Sequence, residues 1–408
     1  MRKSIKQFVL LAVFLVGCSN SPNVPVIATQ SPTSNLPSPA LTSTQTQVST
    51  LESPIAGTAT QTPISTLASA ITGTATQPPI STLESPVSTT AESTISFTQL
   101  VTGGCCVQPF FSPDGSHVLY LDKPAPAALT GLWAVTITQP LQTPAFFSQQ
   151  LGPFSPDMSL NAFLQNGRTI VERIGDGQQW TIDNGGRRVI FSPDNTHIAW
   201  VVSEDTGNFD VRKGDIYLAN ADGSAARIVL TLYGGGVQGW FHDSARLLVS
   251  GKTNRADITT TLSILNLADG SLKKLVDVER SRAILISPDD RTIAYYVSQA
   301  RDEAQDGMYL LDVTKEGAQP VRVDFFGAYR WCSATRLYYV PMQPDAPSQS
   351  LWRFDVPALE STPVITASAD SPFHISNGDW DLSPDGRHLI YVNASDHNIW
   401  LITLPQAC

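Results

Sequence analysis

The sequence predicts an all-β fold, a seven-bladed β-propeller that is closed by its N- and C-terminal strands and preceded by a disordered linker. Three observations predict it. A Ser-Pro-Asp motif followed by an alternating apolar strand recurs through residues 95–408, at a spacing typical of four-stranded blades. The last copy is one strand short, whereas an unassigned strand stands before the first copy. A long segment ahead of the repeats has no aromatic residue and almost no charge.

The first element is a signal peptide at residues 1–17. Three basic residues make its start positive, and the apolar run at 8–16 is too short to cross a bilayer core of about 30 Å. The run ends in Leu-Val-Gly-Cys, which resembles the lipobox of bacterial lipoproteins and implies lipid attachment at Cys18. The alternative is an ordinary secretory signal with an incidental cysteine. We expect an exported protein, lipid-anchored to the outside of the cytoplasmic membrane or in the cell envelope.

Residues 18–94 form the second element, a Ser/Thr/Pro-rich tether. Charged residues make up only 15% of the chain, below the roughly 25% of an ordinary globular protein, and this segment, with three charged residues in 77, accounts for part of the deficit. A sixteen-residue unit begins at Ser49, Ser65 and Ser81, and it contains no strand-length apolar run. Such a segment cannot bury enough apolar surface to offset the entropy of ordering, so we expect disorder.

The charge of the chain excludes one class of partner. Three basic residues in the signal and three acidic residues in the tether cancel, so the region 95–408 carries the whole net charge of −10. Electrostatic binding of DNA or RNA needs a basic surface. We therefore expect no nucleic-acid partner.

The third element, at 95–408, is built from repeats. Five copies keep Ser-Pro-Asp and two are degraded, and their spacing of 37 to 51 residues is typical of a propeller blade. The residues that precede the motif serine or its equivalent are Phe111, Phe154, Phe191, Phe241, Ile286, Trp331 and Leu382. Seven copies predict seven blades. The alternative is an open or six-bladed arrangement in which one divergent copy is misread.

The residues of the motif are those that favour a tight turn. In Ser-Pro-Asp-Gly, proline presets φ, the aspartate side chain bonds nearby backbone, and glycine accepts a left-handed conformation. The motif therefore predicts a tight hairpin between the first and second strands of each blade. We interpret the motif aspartates as supports of these turns and not as an acid cluster. They are Asp114, Asp157, Asp194, Asp289 and Asp385.

The two ends of the repeat region complete each other. The final copy stops after the strand at 399–404, and the strand at 94–101 has no blade of its own. Pairing these strands closes the ring and leaves no open sheet edge for aggregation.

The five complete copies resemble the WD40-like (PD40) repeats of the TolB propeller, which also occur in the propellers of prolyl-oligopeptidase-type peptidases. The resemblance covers residues 95–408 and implies the fold. It implies no particular function, because this repeat serves scaffolds, sensors and enzymes alike. Neither the N-terminal domain of TolB nor a hydrolase domain has a counterpart here, so neither of those activities is carried over.

Catalytic signals are scarce. The sequence contains no GxSxG, HExxH, P-loop or CxxC motif. Ser271 and Lys274 form a lone SxxK that a solvated strand explains. His117, His197 and His388 occupy the same position in three separate blades, so we interpret them as structural. The sequence predicts no catalytic residue, no metal site and no cofactor.

Four cysteines remain in the exported region: Cys105, Cys106, Cys332 and Cys408. Four cysteines allow three pairings. One alternative is a vicinal bond between Cys105 and Cys106, with the other two free or paired.

Loop length predicts where a ligand binds. The connections between strands two and three of a blade are long and charged, and they emerge on the same side as the predicted glycine-rich links between blades, such as 233–236 and 376–379. We name this side the loop face; its connections are 122–130, 203–215, 251–259, 298–307 and 341–349. Their charged residues include Glu204, Asp210, Lys252 and Asp257. The candidate binding residues are Arg212, Lys213, Tyr233, Arg255, Arg301, Asp302 and Asp379.

These elements predict a monomeric, surface-tethered lipoprotein whose propeller binds an envelope protein, peptide or cell-wall glycan on the loop face. Two alternatives remain open. One is a hydrolase or lyase centred on the propeller channel, and the other is a purely structural envelope protein.

Overall fold

The computed structural model describes residues 94–103, 106–205, 207–343, 346–405 and 408. The predicted signal peptide, Cys18, the tether up to residue 93 and Cys105 lie outside the described residues. Within them the only helices are the short 3-10 helices Phe209–Val211 and Glu303–Gln305. No helix in this part of the chain has the length and apolar character needed to cross a membrane.

All other regular structure is β-strand. The first thirteen strands are β1 (Ser96–Gln99), β2 (Val107–Phe111), β3 (His117–Asp122), β4 (Gly131–Thr136), β5 (Ala145–Ser148), β6 (Leu160–Gln165), β7 (Arg168–Arg173), β8 (Gln179–Ile182), β9 (Ile190–Phe191), β10 (His197–Ser203), β11 (Lys213–Asn220), β12 (Arg227–Trp240) and β13 (Arg246–Lys252). The others are β14 (Thr261–Asn266), β15 (Leu272–Asp277), β16 (Ser281–Ile286), β17 (Thr292–Val297), β18 (Gly307–Asp312), β19 (Val321–Val323), β20 (Gly327–Ser333), β21 (Arg336–Pro341), β22 (Leu351–Asp355), β23 (Glu360–Ile365), β24 (Ile375–Leu382), β25 (His388–Asn393) and β26 (Ile399–Thr403).

The strands form antiparallel meanders, and the fold is a β-propeller, as predicted. Strands β2 to β5, β16 to β19 and β20 to β23 each form a four-stranded sheet, and β24 to β26 form another together with β1. Strands β6 to β8 form a three-stranded sheet, and β9 to β15 form one sheet of seven strands. Apolar clusters fill the space between neighbouring sheets; one of them packs Leu248 and Leu262 against Ile293 and Tyr295.

The prediction of seven separate blades is wrong. Five of the sheets in the described residues have the three or four strands of one blade, and the sixth contains two motif copies, those at Phe191 and Phe241. The reason is the fourteen-residue strand β12, which pairs with β11 through its first half and with β13 through its second. A continuous strand therefore stands where the sequence predicts a link between two blades.

The predicted pairing of the terminal strands is confirmed. Strand β1 runs antiparallel to β26, with Ser96 opposite Thr403. The Leu100 amide donates to the Ile399 carbonyl oxygen at 2.8 Å, which continues the contact past the end of β1. Leu100 and Val101 are almost fully buried in an apolar cluster with Ile399. The first strand of the domain therefore completes its last sheet.

The motif turns have the predicted structure. In the five complete copies the serine hydroxyl donates to the aspartate at 2.5 to 2.7 Å. The same aspartate accepts the backbone N–H two residues later, as Asp194 does from Thr196 at 3.1 Å. Hydrogen bonds from Ser112 and Ser116 lower the pKa of Asp114 to about 2. Asp114 is therefore a turn support that is ionised at neutral pH, and the other four motif aspartates make the same hydrogen bond to their serine.

Cys332 and Cys408 form a disulfide with a Cα–Cα distance of 5.5 Å across 76 residues. The bond ties β20 to the segment that follows β26, beside the motif turn at Gly386. The sequence left this pairing open. Cys106 is buried.

Candidate functional site

A cavity of about 660 Å³ opens on the loop face, and we name it the loop-face cavity. Three of the five long connections contribute to it, and the glycine-rich segment of β12 and the start of β16 complete its walls. The lining residues that matter below are Phe209, Asp210, Gln238, Ser250, Lys252, Asp257, Ile258, Glu279 and Arg301. The connections 122–130 and 341–349 contribute no lining residue.

Glycines in β12 shape one wall for reasons of packing. Gly234 has a left-handed φ of 65°, and a Cβ atom there would collide with the backbone of Asp210. A Cβ atom on Gly235 would collide with the backbone of Ser250. The connection 203–215 can therefore lie directly on this strand, which brings Asp210 to the same cavity as β13.

Four of the candidate binding residues lie together beside the cavity: Arg212, Lys213, Tyr233 and Arg255. Glu204 accepts a hydrogen bond from Arg255 at 2.8 Å and another from the Lys213 amide at 3.1 Å. The Arg255 guanidinium carbon lies 5.2 Å from the centre of the Tyr233 ring. Tyr233 is in turn the register partner of Lys213. These contacts join the connections 203–215 and 251–259 to each other.

The charges of this cluster are largely paired. Lys213 forms an ion pair of 2.7 Å with Asp215, and Arg212 donates to the carbonyl oxygen of Gly207 at 3.2 Å. The Lys213 amide, followed by the Arg255 side chain, lowers the pKa of Glu204, which is therefore ionised at neutral pH. The cluster thus fixes the positions of the loops.

Arg301 and Asp302 lie on the third connection. The Arg301 amide donates to Glu279 at 3.1 Å, and its side-chain Nε lies 3.6 Å from the same carboxylate. Asp302 caps the 3-10 helix that follows by accepting the Ala304 amide at 3.1 Å. Arg301 therefore lines the cavity, whereas Asp302 supports a local turn.

Asp379 does not join the other six candidates. The sequence predicted a link between blades at 376–379, but strand β24 already runs through these residues. Asp379 accepts the Gln108 amide of β2 at 3.3 Å, and burial raises the pKa of its carboxyl. Asp381 on the same strand accepts the Phe111 amide at 3.4 Å. Both carboxyls therefore hold the first and last sheets together.

Sequence reasoning missed the most informative residues of the cavity. Lys252 was placed in the connection 251–259 and was not among the candidate binding residues, but it is the last residue of β13 and only 5% exposed. Phe209 and Ile258 are 63% and 76% exposed, so they present apolar surface at a polar cavity. A large apolar side chain inside a charged, glycine-containing loop was the available signal.

The remaining sequence candidates have local partners. Lys274 forms an ion pair of 2.7 Å with Asp277, and the Ser271 amide donates to Asp269. The Nδ1 atoms of His117 and His197 lie 2.7 and 2.6 Å from the hydroxyls of the preceding residues. Across the described ranges, no group of three or more His, Cys, Asp or Glu side chains is arranged to hold a metal ion.

Comparison with known proteins supports the fold but identifies no family for this chain. No protein-family model matches the chain, and no curated protein matches its sequence. Among solved structures, an oligogalacturonate lyase in complex with manganese superposes with a TM-score of 0.51 at 12% identity, over 76% of this chain and 91% of the lyase.

An oligogalacturonate lyase from Vibrio parahaemolyticus gives a TM-score of 0.51 at 10% identity, over 76% and 97% of the two chains. A putative TolB from Agrobacterium tumefaciens gives 0.37 at 14% identity, over 76% and 98%. At these identities, the likeness to the lyases shows a shared propeller fold and nothing of activity.

Proposed function

We propose that this protein is a lipid-anchored envelope protein whose propeller binds a protein, peptide or glycan at the loop-face cavity. The observation that carries the proposal is the exposure of Phe209 and Ile258 at this cavity. Large apolar side chains that stay in contact with water are unfavourable in free energy, and a ligand that covers them removes this cost. Exposed apolar surface of this kind marks interaction sites.

The surroundings of the cavity support a binding role. The pair Glu204–Arg255 and the contact of Arg255 with Tyr233 hold two of the loops against each other. Glu279 accepts from the Arg301 amide and lies 3.6 Å from its Nε, which holds the third loop against the segment before β16. Loops fixed before binding lose less conformational entropy when a ligand arrives, so a preorganised rim raises affinity.

Replacing both Phe209 and Ile258 with serine is expected to weaken capture of an envelope ligand about tenfold, because the apolar contact is lost while the ion pairs of the rim remain. The measurement is quantitative capture from solubilised envelope, with the full chain as bait. The matched control is Leu359→Ser, which removes an apolar side chain of 50% exposure in the turn between β22 and β23. Equal capture by the wild type and the double variant would contradict the proposal, and no specific capture by the wild type would favour a purely structural role.

The anchor is the second part of the proposal, and it rests on the lipobox-like sequence that ends at Cys18. Cys18→Ser is expected to release the protein from the membrane fraction, because the sulfur that carries the lipid is absent. The measurement is membrane fractionation of the expressing cell together with metabolic labelling by a fatty acid. Incorporation of label into the Cys18→Ser variant would contradict lipid attachment at this residue.

A further inference from the structure

Lys252 is an unusual residue for its surroundings. It is 5% exposed, it lines the loop-face cavity, and it lies opposite Tyr233 in the sheet. No carboxylate or hydrogen-bond acceptor of the described residues pairs with its ammonium group. Lysine is almost never so buried unless it is paired, and in Lys252 the alkyl stem is covered by protein while the ammonium nitrogen keeps some accessible surface. The ammonium group is therefore free to bind an anion that enters the cavity.

We infer that the Lys252 ammonium binds a single carboxylate group of a ligand held in the loop-face cavity. The inference rests on the proposed function and names the chemistry of its site. A carboxylate that reaches Lys252 forms a charge-assisted hydrogen bond with this unpartnered ammonium group.

The other charges of the cavity restrict the anion. Asp210, Asp257 and Glu279 line the same walls as the cations Lys252, Arg280 and Arg301. Arg301 lies 3.6 Å from Glu279, and Arg280 donates to the Gln299 side chain at 3.4 Å. Asp257 already accepts the Asn254 amide at 3.0 Å. Once a ligand carboxylate pairs with Lys252, the two arginines face three acids, a balance of −1, so a second negative charge on the ligand is disfavoured. The site therefore favours a monocarboxylate over phosphate or a polyanion.

The rest of the ligand is neutral and polar, with an apolar side. In the wall of the cavity, the Gln238 side-chain amide donates to the Ser250 hydroxyl oxygen at 2.7 Å. The Gln238 carbonyl oxygen and the Ser250 hydroxyl oxygen can still accept from a ligand hydroxyl or amide. Phe209 and Ile258 offer the apolar contact at the rim. A short peptide with one carboxylate and a sugar acid both present this chemistry, so they are two sources of the same group.

Calorimetric or NMR titration of the full chain with matched probes tests the inference. The first pair is acetyl-Gly-Ser-Gly with a free carboxylate and the same peptide as its amide; the second is glucuronate and glucose; inorganic phosphate is the fifth probe. We expect the acid of at least one pair to bind about tenfold more tightly than its neutral partner, and more tightly than phosphate. Whichever pair shows the difference identifies the source of the carboxylate.

Lys252→Met should abolish the preference for the acid, Lys252→Arg should retain part of it, and Lys315→Met, a change at an exposed lysine paired with Asp312, should leave it unchanged. Thermal denaturation checks that the variants fold, and Lys252→Gln replaces the methionine variant if that one does not. Equal binding of acid and neutral probes, tighter binding of phosphate, no binding of any probe, or an unchanged preference in Lys252→Met would each overturn the inference. Capture of an envelope ligand that depends on Phe209 and Ile258 but not on Lys252 would reject the carboxylate while leaving the proposed function in place.

Discussion

A chain that begins at Thr102 is expected to lose about 5 kcal/mol or more of unfolding free energy relative to one that begins at Thr94. The shorter chain lacks β1 and the buried side chains of Leu100 and Val101, each of which contributes about 1.5 to 3 kcal/mol by burial. It also loses the hydrogen bonds to β26, at about 1 kcal/mol each. The measurement is urea denaturation followed by tryptophan fluorescence.

The chain that begins at Thr94 is the matched control, because it lacks the tether but keeps β1. Without β1, the outer edge of β26 is unpaired, and an unpaired edge favours aggregation. We therefore also expect the shorter chain to self-associate in size-exclusion chromatography. Equal unfolding free energies for the two chains would show that β1 contributes nothing to closing the domain.

Replacing Cys332 and Cys408 together with alanine is expected to lower the unfolding free energy by about 4 kcal/mol. The disulfide closes a loop of 76 residues, and a cross-link of that length removes this much loop entropy from the unfolded chain in the chain-entropy model. The bond also fastens the segment after β26 to β20. The measurement is urea denaturation under non-reducing conditions.

A reducing agent provides the control for this double variant. Dithiothreitol should lower the stability of the wild type by a similar amount and leave that of the variant unchanged. A loss below about 1 kcal/mol on substitution would mean that the bond constrains neither state of the chain appreciably.

The elements that could be predicted from the sequence are those that local chemistry determines. Ser-Pro-Asp builds its turn from residues within five positions of each other, so Ser192, Asp194 and Thr196 reveal the hairpin without any distant contact. The closing strand could be predicted because the last copy of the repeat was one strand short, and an unassigned strand stood before the first copy. Both depend on pattern and on short-range hydrogen bonds.

The failures depend on distant contacts. Strand β12 runs through a predicted blade link because Gly234 and Gly235 allow it to pack closely on Asp210 and Ser250, which lie 24 and 15 residues away along the chain. Asp379 was assigned to a loop because its partner, the Gln108 amide, lies 271 residues away. The burial of Lys252 likewise depends on loops that surround it in space. A single sequence shows which residues are charged, but it does not show which of them are buried in the folded protein.

The assignment of the loop face depends on one claim, that the N-terminal strand completes the last sheet of the domain. Native-state hydrogen exchange of the full chain tests this claim most directly at the Leu100 amide, which donates to Ile399. We predict that this amide exchanges as slowly as those of Leu389 and Ile390 in the neighbouring strand, because it opens only when the sheet does. Rapid exchange at Leu100, with the amides of β25 still protected, would contradict the closed ring and the loop face built on it.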